Sequence, residues 1–334
     1  TILIFYPFST LAFNTGAILM GGFAIVLLWV GLGAVARSLG YNLTPVERLI
    51  GLFAIFGFQP AMRDFKWAQI ATLLAGILAF AFYAQELGER EGASDWVRYA
   101  SGALTTLGSA FKLFFATSGA HLLRDRKRFA GAMAGAGALL VASLAVFGVD
   151  AHRTYIDVLM WGKGWGDTQA LYLWDVTAAY RPLWVLGSLG LPVKLLGVLG
   201  VIGLTLAARD ADAPAARHAT FALGVAIIPL AAPQADVHDL VIVLLPAVIM
   251  TAVEFDRPDG YPWLPVLAVL LVHFHRYAVE ATIYAPDWVP LAELIRSNAA
   301  LFQTGMWGTL LLAGLAAYRV AEHASVPAPL TAGS

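Results

Sequence analysis

YASGALTTLGSAFKLFFATSGAHLLRDRKR, residues 99–128, is the stretch on which the reading of this chain turns. It is apolar and rich in small residues, with one charge, Lys112, at its middle and Arg124, Arg126, Lys127 and Arg128 at its end. A lone lysine at mid-bilayer costs about 2.5–3.5 kcal/mol on insertion scales, so Lys112 is expected to face a wet cavity or an anionic partner. A plain span takes about 20 residues; this stretch is too long for one and too short for two. It reads as a broken helical hairpin that dips in from the cytoplasmic side, with Lys112 near its tip and the basic cluster where the chain returns to the surface. The bland alternative is a lysine that snorkels from an ordinary helix end.

Composition agrees with a membrane setting. Hydrophobic residues make up 59% of the 334 positions and charged residues only 13%, with a mean hydropathy of +0.73; a soluble domain carries about 25% charge. The expected fold class is an all-α polytopic membrane helical bundle. A net charge of −1 with no basic patch gives no reason to expect nucleic acid. The absence of cysteine excludes disulfides, thiolate metal sites and cysteine nucleophiles.

Outward from the hairpin, apolar runs predict spans near 14–36, 45–58, 67–83, 129–149, 183–206, 219–230, 240–253, 264–284 and 301–318. Thr44-Pro45 is a good helix start. The GAMAGAGALL run, residues 131–140, allows close helix packing. Residues 1–322 form one transmembrane domain on this reading. Within it, residues 150–181 are an extracytoplasmic interfacial loop with one short amphipathic helix, and residues 323–334 are a disordered tail.

Loop charges give the orientation. Counting the hairpin as returning to its own face, Arg37, Arg48, Arg90, Arg98, the basic cluster at residues 124–128, Arg209, Arg217, Arg257 and Arg319 fall on one side, which the positive-inside rule makes cytoplasmic. Lys66, Lys112, Lys194 and Arg276, with His238, His273 and His275, fall at the outer ends of apolar segments. Cations gathered at the outer mouth of a bundle predict an anionic ligand.

Pro229 and Pro233 break the backbone before Asp236, His238 and Asp239. A histidine between carboxylates can hold a proton or orient a phosphate; helix capping by Asp236 explains the same residues. His273 and His275 lie about 200° apart on a helix and lack an obvious third ligand for zinc, so no metal and no cofactor is expected. GKGWGD at residues 162–167 lacks the spacing of a phosphate-binding loop.

Four stretches, taken in order, carry a resemblance to a known family. Tyr6-Pro7 is similar to a Tyr-Pro-Pro opening, with Phe8 at the second proline. Ala68-Gln69-Ile70-Ala71 is similar to Gly-Gln-x-Asn and keeps the glutamine. Residues 102–128 match a small-residue run leading to a lysine, here Lys112, then Leu-Leu and arginines, with Phe115 where a proline is usual. Residues 232–238 resemble Ser-Pro-x-Ser-Trp-x-His and keep Pro233 and His238. The chain resembles glycosyltransferase family 87, polytopic enzymes of the GT-C fold.

The resemblance implies transfer of a hexose, commonly mannose, from a polyprenyl-phosphate sugar donor to a lipid or glycan acceptor at the outer face of the plasma membrane. It implies Lys112 and Gln69 at the donor phosphate, to which the topology adds Lys66 and Arg276 at the outer ends of apolar segments, with His238 in catalysis and Tyr6, Gln234 and Asp236 at the substrate. It also implies a catalytic aspartate on a loop preceding Tyr6, upstream of Thr1, so that the chain as given would lack its base; Asp64 and Asp236 are the substitutes within it. The alternative from a different class is a lipid carrier or transporter that uses the same anionic-lipid cavity.

Overall fold

The structure is a computed structural model, which describes residues 11–109, 112–161, 186, 189–211, 213–232, 237–284 and 303–324. Among them there is no strand. Six helical runs are long and apolar enough to cross a membrane, and the chain is an all-α polytopic membrane protein.

Helix α1 (Phe13–Ser38) is the first of these. A capping box opens α2 (Pro45–Gly57): the Thr44 hydroxyl accepts from Glu47 N, and Glu47 accepts from Thr44 N at 2.7 Å. The reciprocal bonds satisfy two amides that a helix start otherwise leaves open. An extended Phe58 separates α2 from the short α3 (Gln59–Lys66). The link predicted at residues 59–69 is therefore mostly helical. It ends at Ala68, whose φ of 49° lies in the left-handed region. Helix α4 (Ala71–Gly88) continues past the predicted limit at residue 83.

The hairpin is α5 (Asp95–Ser109) followed by a 3-10 segment, Leu113–Arg124. Runs of 3-10 helix beyond three or four residues are uncommon, and they often mark a functional hinge. The two arms are joined where Ser109 Oγ and Ser118 Oγ lie 2.9 Å apart. Helix α6 (Arg126–Trp161) bends at Gly148 (φ 72°) and carries the first residues of the predicted outer loop as helix. Residues 162–185 lie outside the described set. Then come α7 (Gly190–Ala207), α8 (Pro214–Ala226), the short α9 (Ile228–Ala231), a second 3-10 segment (Val237–Val243) and α10 (Leu244–Phe255). Helices α11 (Trp263–Tyr284) and α12 (Thr304–Ala324) complete the order.

Burial separates centre from periphery. In the run 237–255, 83% of the most apolar window is buried, against 6% in the long α6. Residues 237–255 with α4 and α8 thus form the hub, and α6 and α7 lie outermost. The hairpin is fixed to α6 by direct backbone approach: a Cβ on Gly102 would stand 1.9 Å from Arg128 O, and one on Gly131 2.1 Å from Tyr99 O. Gly102→Val is therefore expected to separate α5 from α6. The check is loss of a monodisperse folded peak in detergent gel filtration, while Gly137→Val, where a Cβ meets nothing within 4 Å, leaves that peak unchanged.

The charges predicted as cytoplasmic gather at one end of the bundle. Glu86 accepts from Arg217 at 2.8 and 3.0 Å and lies 2.9 Å from His218 Nε2. Arg128 pairs with Glu89, Lys127 with Asp95 at 2.6 Å and Arg319 with Glu254 at 2.7 Å.

Candidate active site

At the hairpin break, Lys112 has extended backbone (φ −139°, ψ 106°) between the last turn of α5 and the first of the 3-10 segment. Lys112 Nζ makes an ion pair with Asp239 and lies 3.5 Å from His238 Nε2; His238 Nε2 is in turn 3.5 Å from Asp239 Oδ1. The Lys112 side chain is 17% exposed and that of Asp239 only 6%. Sequence reading placed Lys112 and His238 together as cations facing an anion. It did not single out Asp239 as the counter-charge, which the 3-10 turn at residues 237–243 brings to the same spot as its neighbour His238.

A second carboxylate lies behind this group. Asp64, 2% exposed, sits on α3, which packs on the Val237–Val243 segment. Its two oxygens accept from the amides of Ala71 at 3.2 Å and Thr72 at 2.9 Å, at the start of α4. Burial raises the pKa of its carboxyl above the usual aspartate range, while the bonds from Thr72 and the charges of His238 and Lys112 pull it down. Both oxygens thus close open amides at a helix start, which is a structural occupation for the residue considered above as a substitute base.

Three of the remaining expected site residues lie among those described. Lys66 is exposed at the end of α3. Gln69 donates to Trp67 O at 3.4 Å. Arg276 is half-buried in α11. Tyr6, Gln234 and Asp236 lie outside the described residues. His273 Nδ1 accepts from Gln59 N at 3.3 Å, and its ring stacks on Phe58. Buried His275 instead faces α12, so close that a Cβ on Gly305 would stand 2.7 Å from its ring. The two rings serve different neighbours, as their helical spacing requires. Lys194, another of the cations predicted at the outer mouth, donates to Ala232 O at the end of the α8–α9 run. Among the described residues, no group of three or more His, Asp and Glu side chains could hold a metal ion.

Membrane-crossing helices, a hairpin broken at a half-buried lysine and a His-Asp pair facing that lysine define an integral membrane protein with a polar site inside an apolar bundle. The model of glycosyltransferase family 87 matches residues 1–233, more than half of the chain, and the chain belongs to that family. It is a membrane glycosyltransferase. No curated protein and no solved structure matches it.

Proposed function

We propose that the protein transfers a hexose, mannose in the first instance, from a polyprenyl-phosphate donor to a lipid or glycan acceptor at the outer face of the plasma membrane. The observation that carries this reading is the Lys112–His238–Asp239 group, a cation with a titratable neighbour set among membrane helices. A donor whose tail stays in the bilayer holds its phosphate at membrane depth, where a soluble sugar nucleotide has no such tether.

In the proposed reaction an acceptor hydroxyl oxygen bonds to the anomeric carbon and the bond from that carbon to the phosphate oxygen breaks. The hydroxyl proton goes to a carboxylate, and the polyprenyl phosphate leaves with its negative charge. Lys112 exchanges Asp239 for the donor phosphate and holds that charge as it grows. His238 completes the phosphate contact or relays the proton. Asp239, released from the ammonium, joins Asp236 as a carboxylate able to take the proton.

The test uses the full protein in liposomes with radiolabelled polyprenyl-phosphate mannose or a mannose nucleotide. Incorporation into extractable lipid or glycan is expected from the first donor alone. His238→Ala is expected to lower the rate by about 10²–10³, the cost of removing one preorganised donor to a developing anion. Turnover of the nucleotide sugar with none of the lipid-linked sugar would overturn the proposal.

A further inference from the structure

Away from the Lys112 group, a cavity of about 720 Å³ opens between α1, α2, α10 and α11. That volume lies within the range of about 300–1,000 Å³ usual for small-ligand pockets. Its walls are apolar, with Trp29, Val248 and Val269 among them, and Phe58 at the end nearer α3. At the other end the lining turns polar, with Arg37, Arg48, Tyr41 and Glu47. This is the end at which Tyr41 bonds Asp256 across the α1 and α10 termini, on the cytoplasmic side by the loop charges.

Three features point to one class of occupant. The α10 wall, Leu244–Phe255, has 12 residues and so rises about 18 Å, close to one leaflet's share, about 15 Å, of a hydrocarbon core some 30 Å thick. The mouth holds two arginines and one glutamate. The glutamate is already engaged by Thr44 N and Oγ1 at 2.7 and 2.8 Å. Arg37 and Arg48, unlike Arg98, Arg128, Arg217, Arg257 and Arg319, make no ion pair among the described residues.

We propose that this groove binds an anionic phospholipid of the cytoplasmic leaflet, with an acyl chain along α10 and the phosphate between Arg37 and Arg48. Basic residues at a membrane surface attract anionic headgroups. The apolar walls pack along the acyl chain, and the arginines discriminate between headgroups. This is a site separate from the donor's, and it does not rest on the identity of the donor.

The groove supplies its own test. Gly33 and Gly51 line it, and a Cβ on either meets no heavy atom within 4 Å, so Gly33→Leu and Gly51→Leu direct a side chain into the space from an open Cβ position. Delipidated full-length protein would be titrated in native mass spectrometry with dioleoyl-phosphatidylglycerol, dioleoyl-phosphatidylcholine or a polyprenyl phosphate. One phosphatidylglycerol per chain is expected, preferred over phosphatidylcholine on the order of tenfold or more. Arg37→Gln/Arg48→Gln, at exposed positions, is expected to reduce that preference to about twofold or less while keeping a bound lipid. Either leucine variant is expected to lose the lipid. Equal binding of the two phospholipids by the wild type, retention by both leucine variants, or displacement of phosphatidylglycerol by polyprenyl phosphate would overturn the proposal.

Discussion

Lys112→Met is expected to abolish sugar transfer and, separately, to destabilise the fold; adding Asp239→Asn should repair the second defect and not the first. The reasoning starts from burial. The Asp239 side chain is 6% exposed, and removing its ammonium partner leaves a carboxylate with little water and one fewer donor, a loss of about 3–5 kcal/mol for a buried pair broken on one side. Neutralising both partners removes the uncompensated charge, so the double variant should unfold near the wild-type temperature. Transfer should stay down by about 10²–10³ or more in both variants, because the group proposed to meet the departing phosphate is gone from each. Initial rates with polyprenyl-phosphate mannose, measured beside thermal unfolding in detergent, separate the two effects. A double variant that turns over at the wild-type rate would reduce Lys112 to a partner of Asp239 and remove it from the chemistry.

That experiment also marks how far the sequence could be read. The spans, the hairpin break and the odd position of Lys112 were legible because hydropathy and local charge are properties of neighbouring residues: α1 and α2 begin and end within a few residues of their predicted limits. Asp239 as partner of Lys112 was not legible. The two are 127 positions apart, and their meeting is set by how the 3-10 arm of the hairpin and the run 237–255 both pack on α8, which no local pattern records. The burial of Asp64 was hidden for a different reason. It stood in a polar link, and nothing local shows that α3 folds it under the start of α4, where open amides need an acceptor. A Pro60 two residues into an eight-residue helix was the available signal, and it predicts a helix start without predicting what that helix covers. The same limit applies to Glu86 with Arg217, and to the groove beside α10, whose walls come from opposite ends of the chain.

Arg319 carries the largest purely structural expectation. Its guanidinium grips Glu254 through Nε and Nη2, both at 2.7 Å, and reaches Glu322 from Nη1 at 3.0 and 3.1 Å. The side chains of Arg319 and Glu254 are 1% and 0% exposed. A fork that meets both carboxylate oxygens is the strongest form of such a pair. Glu254 also accepts from Tyr261 N at 2.9 Å, so the pair ties α12 to the turn between α10 and α11. Arg319→Met is expected to cost about 3 kcal/mol, the low end for a broken buried pair, because Arg257 and the amide of Tyr261 remain to serve the glutamate. Lysine should rescue only part of the loss, since a point charge cannot make two parallel bonds to one carboxylate. Arg319→Met/Glu254→Met should recover most of it, for two apolar side chains packed in place of an ion pair leave no charge to solvate. Thermal unfolding of the four proteins in one detergent gives the cycle. A double variant no more stable than Arg319→Met alone would show that the salt bridge, and not the avoidance of a lone buried carboxylate, holds this end of the bundle together.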